Sequence, residues 1–351
     1  MSDLAFQKTT EVPADRQLTL LRSSPSESLL ACGGFDGTIR WWLSAETSWA
    51  EQTAIAGHHG WVSGVEFSAD GQLLLSADSW GSLQCRRRTG EGWEPVWSAD
   101  MAHDGWIRQL RLTSDSATCV TTGRDGWMRR WNTSDGRLLQ EQQVPGADLL
   151  ALAIHPDGTV VTGDHRGIIR TFPPDTGSPS PAFDAAELFL EHRLQDVGGV
   201  RGIRFNREGT QLAAWGTRPK NGGNVQGIPV ALLFDWSSGE RLHVLEMGTA
   251  SDVYVTDLEF HPDGFLIATT SGNPGTGRIV CMRPGETEPF LVEKSLANSH
   301  SLSLQTDGSR VIVVSTNRNS NGNGRRLNDD GTYPGNYSLL TEFSLAPPSA
   351  A

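Results

Sequence analysis

The sequence predicts an all-β fold made of one unit repeated around a ring, and three observations carry that prediction. The first is alternation. From His103 to Asn132 the chain reads HDGWIRQLRLTSDSATCVTTGRDGWMRRWN, three period-two stretches separated by TSDS and RDG turns. That pattern marks half-buried strands rather than helix. The second is repetition: Trp61 and Trp106, each in a Gly-Trp-(Val/Ile) step after a histidine, lie 45 residues apart, and Asp36 and Asp125, each in a G-x-D-G turn, lie 89 apart. The third is persistence, since the turn residues Asp263 and Asp307 are still 44 apart near the end of the chain. Four short strands per period of about 40–45 residues is the mark of β-propeller blades. The prediction is a seven-bladed propeller with four-stranded antiparallel blades, forming one domain over residues 1–351.

Taken in order, residues 4–12 form a weakly alternating strand with no hairpin partner. Blade one (15–56) contains QLTLLRS, SLLACGG and DGTIRWW, with its fourth strand near Thr53 to Ala56. Blade two (57–98) opens with GHHGWVSGVEF, turns at Asp70-Gly71, and closes with EPVWS. Blade three (99–146) is the stretch above, closed by RLLQEQQV. Blade four (147–196) runs through LLALAIHPDGTVVTGDHRGIIRTF. A Pro/Ser/Gly-rich surface loop then spans Pro173 to Pro181, and Ala186 to Leu194 supplies the outer strand or, alternatively, a short helix. Blades five (197–248), six (249–295) and seven (296–347) keep the strand pattern, but each carries a longer second-to-third turn: 218–227, 272–277 and 318–336. Blade seven has only three strands of its own. The spare N-terminal strand completes it, closing the ring without an unpaired edge.

The residues FDGTIRWW, GHHGWVSGVEF and HDGWIRQLRL…GRDGWMRRWN resemble the repeats of the WD-repeat family, and the resemblance extends over essentially the whole chain. Later repeats keep HPDG turns but lose most terminal tryptophans, Trp236 in FDW being the late survivor. The resemblance implies a non-catalytic interaction scaffold. It also implies that His103, Asp125, Thr121 (or Thr122) and Trp131 form a buried hydrogen-bonded set that holds a blade together rather than a hydrolytic triad.

Composition narrows the function. The net charge is −12, and Lys8, Lys220 and Lys294 are the only lysines. A protein that gains affinity by neutralising phosphates or anionic lipid has the opposite balance. The expected partner is a protein or peptide, with no nucleic acid and no membrane; the expected state is a monomer. Cys32, Cys85, Cys119 and Cys281 lie in apolar strand segments without C-x-x-C spacing, so they read as buried thiols. The N-terminus lacks a signal-peptide pattern and no apolar run is long enough to span a bilayer, which makes a cytoplasmic location the expectation.

Of the remaining motifs, His155 and His261 in HPDG read as hairpin turns, not metal ligands. Arg86-Arg87-Arg88 and Arg129-Arg130 lie on strands, where successive side chains alternate faces and form no continuous basic patch. The Asp329-Asp330 loop lacks the ligand spacing of a calcium loop, and no phosphate-loop, G-x-S-x-G or H-E-x-x-H motif occurs. No cofactor and no metal are expected.

Two features point to binding. Trp61, Trp80, Trp106 and Trp127, with Arg108 and Arg124, fall on one face of blades two and three, either as exposed anchors or as packing between blades. The three long turns, with Arg218, Lys220, Asn273, Arg318, Arg325, Arg326 and Tyr333, emerge on the same face. The predicted function is therefore a scaffold binding a protein or peptide on that face. The alternatives are a propeller hydrolase such as a lactonase, centred on Asp257, Glu259 and Arg204, or a propeller that binds a small molecule or carbohydrate.

Overall fold

The computed structural model describes residues 4–45, 48–90, 92–174, 178–191, 198–220, 227–272, 276–318 and 335–346. Seven antiparallel four-stranded sheets make up the fold, and six of them run in chain order from an innermost to an outermost strand. Blade one comprises Leu18–Ser23, Leu29–Gly34, Ile39–Ser44 and Trp49–Glu51. Blade two is Val62–Phe67, Leu73–Asp78, Leu83–Thr89 and Gly92–Ala99; blade three is Ile107–Leu112, Thr118–Gly123, Trp127–Asn132 and Leu138–Gln143. Blade four is Leu149–Ile154, Val160–Asp164, Ile168–Phe172 and Ser180–Asp184, and blade five is Val200–Phe205, Gln211–Pro219, Gly227–Asp235 and Arg241–Glu246. Blade six is Tyr254–Phe260, Leu266–Ser271, Gly277–Met282 and Leu291–Glu293.

The seventh sheet closes the ring. Ala297–Leu304, Arg310–Thr316 and Ser338–Ala346 are joined by Ala5–Ala14, which pairs antiparallel with Ser338–Ala346 from Ala5↔Ala346 to Ala14↔Ser338. The two chain ends thus share one blade, and the main-chain edge of Ser338–Ala346 is satisfied by the N-terminal strand.

Alternation puts apolar side chains on both faces of every inner blade, so the core lies between blades rather than along the ring axis. Leu75, Leu83 and Cys85 of blade two meet Ile107, Leu110, Cys119 and Trp131 of blade three. The same packing recurs between blades four and five, around Val161, Ile169, Leu212 and Phe234, and between six and seven, around Ile267, Val311 and Phe343. All four cysteines are buried and unpaired, and burial pushes the Cys85 thiol up to about 11.

Three expectations need correction. The outer strand of blade one is Trp49–Glu51; within the expected stretch only Ile55 makes a bridge, to Ile39. Trp49 is buried and its indole N–H donates to Glu342 of blade seven at 3.0 Å, which fixes the strand earlier than the alternation suggested. In blade four the outer strand is Ser180–Asp184, inside and just after the expected loop, while Ala186–Leu188 is a single 3₁₀ turn that buries Leu188. The blade-five hairpin extends to Pro219↔Gly227, so Arg218 is a strand residue rather than a loop residue.

Candidate functional site

A buried polar set holds blade three together. Trp131 donates its indole N–H to Thr121 Oγ1 at 2.9 Å, and Thr121 Oγ1 lies 2.7 Å from His103 Nε2. His103 Nδ1 faces Asp125 Oδ1 at 2.9 Å. Because the hydroxyl already accepts from Trp131, its own proton points to Nε2; Nδ1 then carries the imidazole proton and donates it to the carboxylate. Burial pushes the His103 pKa down against the pull of Asp125, in keeping with this neutral form. Burial alone would raise Asp125, but the His103 and Arg129 contacts outweigh it and hold the carboxyl well below its usual range. Thr121, not Thr122, is the member of the set. A Cβ on Gly123 would lie 2.3 Å from His103 Nδ1, so the turn folds back over the histidine only with glycine there.

Blade two carries a second set that the motif search missed. His58 Nδ1 is 3.0 Å from Asp78 Oδ2, and His58 Nε2 is 2.7 Å from Ser76 Oγ. Arg86 takes the tryptophan's part, with Nη1 3.4 Å from Ser76 Oγ. The aspartate comes from the end of the second strand instead of the turn, which hides it from a G-x-D-G search. Burial opposes ionisation of Asp78, yet His58 and the N–H groups of Ser82 and Trp80 bring its pKa down to about 2. The HPDG histidines join neighbouring blades: His155 Nε2 lies 3.1 Å from Gly209 O, and His261 Nε2 lies 3.1 Å from Gly308 O. Among the described residues no group of three or more metal-ligating side chains converges. Trp236 does not hold the terminal position either. Phe234 pairs with Leu212 as Trp131 pairs with Cys119, while Trp236 stacks on His155 at 4.7 Å.

At the mouth of the central channel every innermost strand carries a register shift, single in blades one to six and double in blade seven. Such a bulge re-aims one side chain. The residues skipped are Thr19, Ser63 and Arg108 in blades one to three and Leu150, Arg201, Thr256 and His300 in blades four to seven; all seven line one cavity of about 430 Å³. The first three clasp the next blade. Thr19 Oγ1 donates to Val62 O at 2.5 Å, Ser63 Oγ donates to Ile107 O at 2.6 Å, and Arg108 grips Asp148 through two N–H···O bonds of 2.8 and 2.5 Å. Below this collar Arg22 and Arg111 share Glu66, at 3.4 and 2.7 Å, while Arg204 pairs with Glu259 and lies 3.5 Å from Asp257. This floor of ion pairs gives the cavity the form of a cup.

Around the cup's rim runs an aromatic ladder. Phe35 meets Trp61 edge-on at 5.1 Å, Trp61 meets Trp106 at 5.5 Å, and the Arg108 guanidinium lies 4.2 Å over Trp106. Trp61 is 45% exposed, Trp80 69% and Met101, in the link to blade three, 86%. Trp106 and Trp127 are half-buried, with Arg129 over the Trp127 ring at 4.9 Å, and Arg124 is exposed.

A family model described as "WD domain, G-beta repeat" matches residues 14–42 and 49–85. The chain is 26% identical over 324 residues to telomerase protein component 1 of Rattus norvegicus, covering 88% of this chain and 11% of that protein. It is 24% identical over 287 residues to pre-mRNA-processing factor 19 homolog 2 of Arabidopsis thaliana, covering 77% of this chain and 51% of that protein. It is also 28% identical over 110 residues to small ribosomal subunit protein RACK1y of Oryza sativa subsp. japonica, covering 29% of this chain and 30% of that one. The chain thus spans about a tenth of the telomerase component and about half of the processing factor.

The chain carries WD repeats in its first two blades and has the seven-bladed ring of WD-repeat proteins. WD-repeat proteins act for the most part as protein-interaction scaffolds. Asp257, Glu259 and Arg204 are brought together, but Asp257 is held by Ser301 Oγ–H at 2.7 Å, by the Leu302 N–H at 3.2 Å and by Arg204. Burial lowers the Arg204 pKa to about 10, which still leaves a cation at neutral pH.

The WD-repeat loops divide. Arg218 is bound by Glu187 at 2.8 Å and Glu246 at 2.6 Å, a clamp across blades four and five. Arg318 Nη2 donates to Ser295 O at 3.1 Å, and Lys220 is exposed at the end of the hairpin. Asn273, Arg325, Arg326 and Tyr333 lie outside the described residues. Sequence reasoning missed Phe35, Met101, Trp215 and most of the collar, because a bulge leaves no trace in a period-two pattern.

Proposed function

We propose that the protein binds a protein or peptide partner across the cup mouth, on the face formed by the second-to-third strand turns and the links into each blade. The observation that carries this reading is the pair of exposed tryptophans, Trp61 and Trp80, beside the Trp106–Arg108 stack. Large aromatic surface left in water, bordered by arginine, is the composition of interface anchors. Neither ring belongs to the buried inter-blade clusters: Trp80 stacks beside His59 at 6.4 Å between ring centres, and Trp61 meets Phe35 and Trp106 edge-on.

The test is affinity capture from native lysate with wild type, with Trp61→Ala/Trp80→Ala, and with Leu138→Ser/Leu139→Ser on the outer edge of blade three, each matched by a thermal melt. The rim reading expects a partner retained by wild type and by the edge variant. It expects a weakening by the tryptophan variant of roughly 30-fold or more, the scale of a lost hot spot. A partner captured equally by all three folded proteins rules the rim out. A capture lost with the edge variant moves the interface to the outer strands.

A further inference from the structure

We propose that Trp80, together with Asp100 and Asp104, is the seat for an arginine side chain of the partner. This deepens the partner-binding reading of the same face and rests on it. The protein builds such a seat twice for its own use. The Arg108 guanidinium lies 4.2 Å over the Trp106 ring and is held by Asp148, with Nη2 2.5 Å from Oδ2. The Arg129 guanidinium lies 4.9 Å over the Trp127 ring and is held by Asp125 at 3.0 Å. In both stacks the arginine stands two residues after the tryptophan, on the same face of the chain.

The two exposed tryptophans lack that arginine. Ser63 stands two residues after Trp61, its hydroxyl spent on Ile107 O, and Ser82 stands two residues after Trp80. Both rings are left in water, at 45% and 69% exposure. What separates them is the acid beside each. Asp36, on the turn that brings Phe35 to Trp61, is already paired with Arg16 and Arg40. The acids beside Trp80 are free.

Their placement follows from the backbone. Pairing of Leu83 with Ala99 sets the Trp80 turn against the link that begins at Asp100, and the His103 N–H donates to Gly81 O at 3.3 Å. A Cβ on Gly81 would strike the carbonyls of His103 and Gly105, the two residues that flank Asp104. Asp100 and Asp104 are both exposed, and neither carboxylate has an ion pair or a hydrogen bond among the described residues. Arg124, on the next turn, is bound to neither.

The site thus has the open indole and the acids of the internal stacks and lacks their cation. A guanidinium supplies it. Its flat face lies on an indole, its forked edge reaches a carboxylate, and its apolar stem can cover Met101, which is 86% exposed in the same link. An ammonium offers only the point charge. The net charge of −12 favours the approach of a basic segment.

The experiment follows the Trp80 indole N–H by ¹H–¹⁵N NMR and the Met101 methyl by ¹H–¹³C NMR, with Trp80→Phe and Met101→Leu used for assignment. Acetyl-Gly-Arg-Leu-amide, its neutral citrulline counterpart and its lysine counterpart are titrated into the full chain at constant ionic strength. The arginine peptide should shift both resonances, the lysine peptide should bind several-fold more weakly, and the citrulline peptide should leave both in place. Asp100→Asn/Asp104→Asn, at exposed positions, should weaken the arginine peptide by roughly fivefold, the scale of exposed ion pairs. No shift at tens of millimolar, equal shifts from the citrulline peptide, or an unchanged affinity in the asparagine variant overturns the seat. Equal affinity for the lysine peptide overturns the guanidinium assignment. In the partner capture, loss with Trp61→Ala/Trp80→Ala but full retention with Asp100→Asn/Asp104→Asn sinks the arginine seat and keeps the rim. Retention by the tryptophan variant sinks the rim whatever the titrations give.

Discussion

Blade three and blade six have the same four strands and the same register, yet their interiors are built on opposite chemistry. Where blade three has Thr121, Trp131 and their histidine, blade six has Ala268 and Met282 with no polar group between them. Blades five and seven follow blade six, with Ala214 and Phe234 in one and Val313 and Phe343 in the other. A satisfied polar network and an apolar pair of similar shape are close to interchangeable in stability; what costs free energy is the half-made version. The ring contains that version too. Blade four keeps the hydroxyl, Thr162, but has Phe172 in place of tryptophan, and Thr162 Oγ1 is buried with no partner among the described residues. Blade one keeps the tryptophan, Trp42, over Cys32 instead of a hydroxyl, and its indole N–H is likewise orphaned.

The largest test of this contrast is Asp78→Ala. Asp78 is fully buried, and its two oxygens accept from His58 and from the N–H groups of Trp80 and Ser82 at 2.9–3.0 Å. Removing it orphans three donors at once, and a loss of about 3–5 kcal/mol is expected, the range for breaking a buried charged network. Chemical denaturation measures it. A loss under about 1 kcal/mol would mean that the polar sets are ornaments on an apolar frame.

A sharper test makes one substitution in adjacent blades. Thr121→Val strands His103 Nε2 and the Trp131 N–H and should destabilise by about 1–3 kcal/mol. Thr162→Val removes a hydroxyl that has no partner, in the same strand position, and should be neutral or stabilising by up to about 1 kcal/mol. The comparison fails if the two changes have the same sign and size.

The same contrast explains what could be read from the sequence. The fold was legible because strand alternation, turn chemistry and spacing survive whether a blade's interior is polar or apolar: Asp263 and Asp307 keep the period in blades whose tryptophans are gone. The polar set of blade three was legible because all four members fall at motif positions, whereas that of blade two was not, since Asp78 is displaced and Arg86 replaces tryptophan. The rim tryptophans were visible, but their exposure was not, because that depends on which neighbour each ring meets: Trp106 lies under Arg108, and Trp80 beside His59. The cup escaped altogether. Its collar depends on a bulge in every innermost strand, and its Trp215 wall on the missing side chain of Gly202, and both are facts of register rather than of residue type. The outer strands of blades one and four were misplaced for a related reason, since short edge strands carry little alternation and are fixed by partners such as Glu342 for Trp49.

The smallest effect separates the two kinds of interior by pH. Histidine in a polar set faces a carboxylate, but His300 on the cup wall has none bound to it, and burial lowers its pKa to about 4 from an ordinary 6.5. The unfolded chain therefore takes up this proton first. The stability tied to neutral His300 is complete above pH 6.5 and drains away as the pH falls from 6.5 to about 4. Asp78 is depressed from 3.8 to about 2, so its contribution is complete above pH 3.8 and is lost lower down, as the pH falls through about 2. His103, also depressed, adds loss in the same direction as His300, so the diagnostic quantity is a difference between proteins. Denaturant midpoints of wild type and His300→Gln should converge as the pH is lowered from 6.5 to 4 and then run parallel down to the Asp78 window. Parallel lines across the upper window would mean that the cup wall gives His300 a partner in solution, and convergence only below pH 4 would assign the acid sensitivity to the carboxylates of blades two and three.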